Sequence, residues 1–293
     1  MAERRSQIVL GIDPDPMRLW PRALAMVQAR GTVAERAGRA VSAHCRLLLE
    51  AAGSECVAVK PQVACFEQLG APGWSALAEV VADAARRGLV VIADAKRGDI
   101  DISAAAYARA FLRGTPTPFG DVEGLGADAL TVNPLLGRDS LAPFVEAARA
   151  TGAGLFVLTR TSNPGAADLQ DRELADGESV SDAVARIVAE LGRPAIGARG
   201  LADVGAVVGA TAAGHLARLR AAMPAAVMLL PGIGAQGASG EGLEAAFAPG
   251  PAGGLVSASR TIADAHERDG GDPARSAAAS ARRLRELVWE RYA

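Results

Sequence analysis

Eight short apolar runs punctuate the chain: IVLGID at 8 to 13, CVAVKPQ at 56 to 62, LVVIADAK at 89 to 96, ALTVNP at 129 to 134, GLFVLTRTS at 154 to 162, VGAVVGAT at 204 to 211, AVMLLPGIG at 226 to 234 and GGLVSASR at 253 to 260. Within each run the apolar residues are nearly continuous rather than alternating, which is the pattern of a strand buried on both faces. Segments with helical spacing separate most of them, such as WSALAEVVADAARRG and SVSDAVARIVAELG, the latter opened by a capping serine. Buried strands alternating with amphipathic helices predict a parallel sheet covered by helices. Eight such units close into a (β/α)8 TIM barrel, whereas a doubly wound open sheet more often has five to seven strands. DPARSAAASARRLRELVWERYA supplies a last helix for the outer ring. No linker or composition break divides the chain, so residues 1–293 are expected to form a single catalytic domain. The polar stretches at 163 to 179 and 235 to 250 read as long loops after the fifth and seventh strands.

Composition narrows the classes of function. A net charge of −2 and a pI near 6.0 give no general attraction to nucleic acid or to an anionic membrane. No stretch approaches the roughly 18 apolar residues of a membrane span, and the N-terminal apolar run is too short for a signal peptide. Cys45, Cys56 and Cys65 are odd in number, lack a CxxC spacing and sit among apolar residues, which favours three buried thiols and a reducing cytoplasm. Lysine occurs only twice, at Lys60 and Lys96, against a total of 31 Lys plus Arg. Arginine substitutes freely everywhere else, which makes the two exceptions informative.

In a barrel the residues at the C-terminal strand ends do the chemistry. Here those ends read Asp13, Lys60, Asp94 with Lys96, Asn133, Thr159 with Ser162, Thr211, Gly232 with Gln236, and Ser259 with Arg260, so both lysines are among them. Arginine matches lysine in charge but cannot give up a proton at neutral pH, since its pKa exceeds about 12. Retention of Lys96 therefore points to proton transfer or imine formation. Period two puts Asp94 and Lys96 on the same side of their strand, and carboxylates near an ammonium favour its charged form, which suits a general acid and opposes a Schiff-base nucleophile. Two other readings of the cluster stand beside this one: a structural ion-pair network, and a magnesium site formed by Asp13, Asp94 and Asp99. The interleaved ammonium groups already neutralise those carboxylates, so no metal is expected. His44, His215 and His266 end no strand, which leaves a Ser-His-Asp hydrolase unsupported.

A second constellation follows the seventh and eighth strands: PGIGAQG, then SASRTI. Glycines let backbone N–H groups approach an anion, Gln236 and Arg260 can donate to it, and these two loops are where barrels commonly bind phosphate.

With Asp13, Lys60, DAKRGDI, TSNPG, PGIGAQG and SASRTI in this order, the chain resembles the orotidine 5'-phosphate decarboxylase family, in its longer bacterial form. The DxKxxDI motif is shared in part with sugar-phosphate decarboxylases and synthases of the same superfamily, which are generally shorter and use magnesium. The resemblance implies decarboxylation of the nucleotide orotidine 5'-monophosphate to UMP without a cofactor. By the same resemblance, Asp13 and Lys60 hold the ribose hydroxyls, and Lys60 also contacts Asp94. Asp94 faces the substrate carboxylate, Lys96 protonates C6, Ser162 binds the pyrimidine, and Gln236 with Arg260 grips the phosphate. Asp99 and Ile100 resemble residues delivered by a partner subunit, with Ser103 in the place of a threonine, which implies a homodimer with shared sites. Ser259 stands where the family usually has glycine.

Overall fold

A computed structural model describes residues 1–210, 213–232 and 242–293. Eight strands form where the apolar runs predict them: β1 Ile8–Ile12, β2 Ala58–Pro61, β3 Val90–Arg97, β4 Ala129–Val132, β5 Gly154–Arg160, β6 Val204–Val208, β7 Met228–Pro231 and β8 Gly254–Ala258. They join as a closed parallel barrel in the order β1-β8-β7-β6-β5-β4-β3-β2. Seven of the strands end one to three residues inside their predicted runs, and β3 runs one residue past its own, to Arg97. Every residue of β1, β2, β4, β6 and β8 is buried, as parallel strands covered on both faces require.

The chain groups into two compact units, one of residues 1–95 and 258–288, the other of 96–257 and 289–293. In the first, helix α1 Val33–Ala52 packs along helix α2 Ala71–Arg86. Thr32 caps α1 through a reciprocal pair with Glu35, which satisfies backbone donors that the first helical turn leaves free. Among the histidines, His44 on α1 is buried and its Nδ1 accepts the Trp20 N–H at 3.1 Å. Burial pushes its imidazole down to about 4, with His266 adding to the effect.

In the second unit, helix α3 Asp101–Ala108 runs into a single π-helical turn, Arg109–Arg113, and then an antiparallel hairpin pairing Thr115–Thr117 with Gly120–Val122. Neither the π turn nor the hairpin is read from the sequence pattern. Helix α4 Arg138–Thr151 ends on left-handed Gly152. Helix α5 Val180–Gly192 starts at the capping serine the sequence points to: Ser179 Oγ accepts the Asp182 N–H at 3.2 Å, and the Asp182 carboxylate accepts the Ser179 N–H at 3.0 Å. The segment after β5 is less irregular than a bare loop, since it contains the short helix Ala166–Leu169. The last helix, Pro273–Tyr292, forms as expected.

The thiols differ from expectation in one respect. Cys45 and Cys56 are buried, and burial pushes the Cys56 thiol up to about 12, but Cys65 is only half-buried. It lies on a short helix just past β2, Val63–Glu67, rather than in the strand layer. No described helix is long and apolar enough to cross a membrane.

Candidate active site

The end of β2 brings Lys60 against Asp94 of β3. Lys60 Nζ donates to Asp94 Oδ2 at 2.5 Å, and both side chains are less than a tenth exposed. Burial alone would lower the lysine, but the attraction of Asp94 and Asp13 and the hydrogen bond to Asp94 outweigh it, and Lys60 titrates above its ordinary value. A third group completes the cluster. Gln62 Nε2 donates to the same Asp94 oxygen at 3.1 Å, while the Gln62 N–H donates to the Ile12 carbonyl at 2.9 Å. Gln62 is thus pinned by backbone to β1 and by side chain to β3. It is a residue the strand-end reading missed. The signal was present, because Gln62 lies two residues past Lys60 and so falls on the same face of the strand.

At the end of β1 the surroundings are different. Asp13 is exposed, and its Oδ2 accepts the Ser259 hydroxyl at 2.7 Å. Ser259 therefore spends its side chain on the neighbouring carboxylate. Gly11 makes room for it, because a Cβ at residue 11 would stand 2.6 Å from the Ser259 Cβ. Arg260 is exposed at the start of the turn Arg260–Ala263. Asp13, Arg18, Ser259, Arg260, Asp264 and the buried His44 are among the residues lining a cavity of about 330 Å³.

Lys96 is exposed near the end of β3, with φ +49°. This is a correction to the period-two argument: a residue in the left-handed region interrupts the pleat, so alternation from Asp94 does not by itself fix where the Lys96 side chain points. For a residue bearing a Cβ this conformation costs of order 1 kcal/mol or more. The Lys96 N–H donates to Thr131 Oγ1 at 2.9 Å.

Asp99 is half-buried, and its Oδ1 accepts the N–H of Ile100 at 2.8 Å. Ile100 is half-exposed just before α3, and Ser103 is exposed on the first turns of that helix. Ser162 is half-buried past β5. Its backbone lies so close to Gly209 that a Cβ there would meet it at 2.7 Å, which makes glycine at 209 part of how Ser162 is seated. Gln236 and most of PGIGAQG lie outside the described residues, as does Thr211. Among the described residues no group of three or more His, Cys, Asp or Glu side chains is arranged to hold a metal ion.

A closed parallel barrel with a buried lysine–aspartate pair and a second lysine at its strand ends has the layout of a barrel enzyme. The chain belongs to the orotidine 5'-phosphate decarboxylase / HUMPS family, whose model matches residues 6–270. It is 45% identical over 264 residues to the orotidine 5'-phosphate decarboxylase of Rhodopirellula baltica, covering 89% of this chain and 84% of that one. It is 49% identical over 236 residues to the protein of that name from Deinococcus radiodurans, covering 80% and 81%. Among solved structures, a putative orotidine 5'-phosphate decarboxylase from Streptomyces avermitilis is 36% identical, with a TM-score of 0.75 over 98% of this chain and 91% of the other. Membership makes the chain an enzyme, and relatives at this identity are carboxy-lyases by name.

Proposed function

We propose that the chain, acting as a single catalytic domain, decarboxylates orotidine 5'-monophosphate to UMP and CO2, with Lys96 as the general acid that protonates C6. The observation that carries this reading is the division of labour between the chain's only two lysines. Lys60 on β2 is buried and committed to Asp94, while Lys96, two residues past Asp94 on β3, is exposed. Loss of CO2 from C6 leaves a vinyl carbanion without a conventional electron sink. A fixed ammonium beside that carbon stabilises the developing charge and then supplies the proton, so the route draws on no cofactor. Asp94, held by Lys60 and Gln62, faces the departing carboxylate, and its repulsion counts for less than carbanion stabilisation. Asp13 and Lys60 hold the ribose, Ser162 the pyrimidine, and Arg260 with Gln236 the phosphate. Grip on the phosphate, remote from the reacting carbon, supplies binding energy to organise the site.

The test is loss of orotidine 5'-monophosphate absorbance with purified protein, with and without a strong chelator. Turnover is expected in both. No turnover removes the proposal, and turnover only with added magnesium favours a metal-dependent sugar-phosphate type of chemistry instead. Lys96→Arg keeps the charge and withholds the proton, so kcat should fall by orders of magnitude while UMP still binds.

The proposal extends to a two-fold dimer in which Asp99, Ile100 and Ser103 serve the neighbouring subunit's site. Lys96→Ala and Asp99→Ala, each inactive, should then complement when refolded together, with about one site in four intact after random pairing. A mixture that stays inactive although mixed dimers form rules out sharing.

A further inference from the structure

The left-handed backbone at Lys96 needs a cause. A residue bearing a Cβ holds φ +49° only where its surroundings fix it. The group that does so is a side chain. Where a ladder carbonyl would ordinarily take a strand N–H, the Lys96 N–H goes to Thr131 Oγ1 at 2.9 Å. The backbone ladder resumes at once, with the Asn133 N–H donating to the Arg97 carbonyl at 2.8 Å. Thr131 lies on β4 and is 1% exposed, so water does not compete for its hydroxyl. Just beyond, Gly98 passes so close to Asn133 that a Cβ there would meet its carbonyl oxygen at 2.9 Å. The chain around Lys96 is therefore fastened on both sides of the deviation, and a threonine hydroxyl is the fastening at the deviation itself.

We propose that Thr131 is a positioning residue for Lys96: its hydroxyl fixes the left-handed step of β3 and, through it, the direction of the ammonium. This rests on the reading of Lys96 as proton donor. A valine would fill the same volume without an acceptor, and the released N–H would let the backbone relax toward the extended form. Proton transfer is steeply sensitive to placement, with a misplacement of about 1 Å costing roughly a hundredfold in rate.

The experiment compares Thr131→Val, Thr131→Ala and Thr131→Ser with the wild type in two assays. In turnover of orotidine 5'-monophosphate, the valine and alanine variants should lose at least about tenfold in kcat with KM and UMP affinity within about twofold, because binding is uniform and only the transition-state placement is lost. The serine variant, which keeps the acceptor, should recover most of kcat. The second assay needs no turnover. The chain's only two lysines can be followed separately by mass spectrometry during reductive methylation, and Lys96 should change its labelling rate at least about threefold in the valine and alanine variants but not in the serine one, with Lys60 as internal reference. If the wild type fails to decarboxylate, the decarboxylase reading falls and labelling alone decides the positioning. Should the valine variant fail to fold, the alanine variant carries the same comparison. The proposal is overturned if the folded variants lacking the hydroxyl keep kcat within twofold and label at Lys96 as the wild type does, or if serine is as impaired as valine.

Discussion

The C-terminal parts of β3 and β1 both present an aspartate, and the two are treated in opposite ways. Asp94 is buried, and one of its oxygens receives both Lys60 and Gln62. Asp13 is open to solvent, with a single hydroxyl from Ser259. The first arrangement is preorganised: its charges are fixed in a water-poor setting where each interaction is strong and each loss is costly. The second is adaptable, since water can stand in for any partner it lacks. In the proposed reaction the buried pair lies next to the bond that breaks and the open carboxylate meets hydroxyl groups that do not react.

Substitutions at four residues sharpen that contrast. The largest effect is expected from Lys60→Ala, which leaves Asp94 buried without its cation. Breaking one side of a buried pair costs about 3–5 kcal/mol, and urea unfolding should record it. The wild-type pair also sets an alkaline limit. Lys60 titrates above its ordinary 10.5 when folded, so its contribution is complete below that value and is lost as pH rises through the folded one. Next comes the histidine lining the cavity beside Asp13. His44 is pushed down to about 4 from 6.5, so unfolding exposes a group that takes up a proton, and stability should decline as pH falls from 6.5 toward 4. The expected loss is about 3 kcal/mol, and His44→Gln, which does not titrate there, should flatten that limb of the stability profile.

Smaller still is Gln62→Leu, which removes one donor from Asp94 and should lower kcat by about tenfold, near 1.4 kcal/mol, with KM little changed. Gln62→Glu tests the same bond by pH. Ionised, the new carboxylate repels Asp94; protonated, it donates again. Its activity relative to wild type should therefore rise as pH falls, and a flat ratio would mean that the Gln62 contact is incidental. The smallest effect belongs to Ser259→Gly, where solvent replaces the lost hydroxyl. A change in KM of more than about threefold would show that the open end is less adaptable than the comparison holds.

Much of this was legible beforehand. All eight strands formed at their apolar runs, only β3 reaching one residue beyond, because a barrel strand buries both faces, and that leaves a composition signal no partner can mask. The capping role of Ser179 and the Lys60 to Asp94 contact were likewise readable, the one from local hydrogen bonding and the other from the family resemblance. The π turn at Arg109–Arg113 and the hairpin after it were not, since neither carries a hydrophobic period of its own. Gln62 escaped because Lys60 already claimed that strand end, and nothing local to the sequence marks which carboxylate the amide meets across on β3. The left-handed step at Lys96 was invisible for a plainer reason: nothing about a lysine announces positive φ, and its cause, Thr131, lies 35 positions away along the chain.

The close fit of Gly11 under Ser259 also bears on how this pair of residues can change over time. With serine at 259, an alanine at 11 would place two Cβ atoms 2.6 Å apart, which no small adjustment relieves. With glycine at 259 the nearest atom is the α-carbon at 3.1 Å, a distance that a shift of a few tenths of an ångström can accommodate. The two sites are thus epistatic, and order matters: a lineage can replace Ser259 first and then Gly11, but the reverse route passes through an intermediate that packs badly. With serine at 259, this sequence makes the glycine on the neighbouring strand hard to give up.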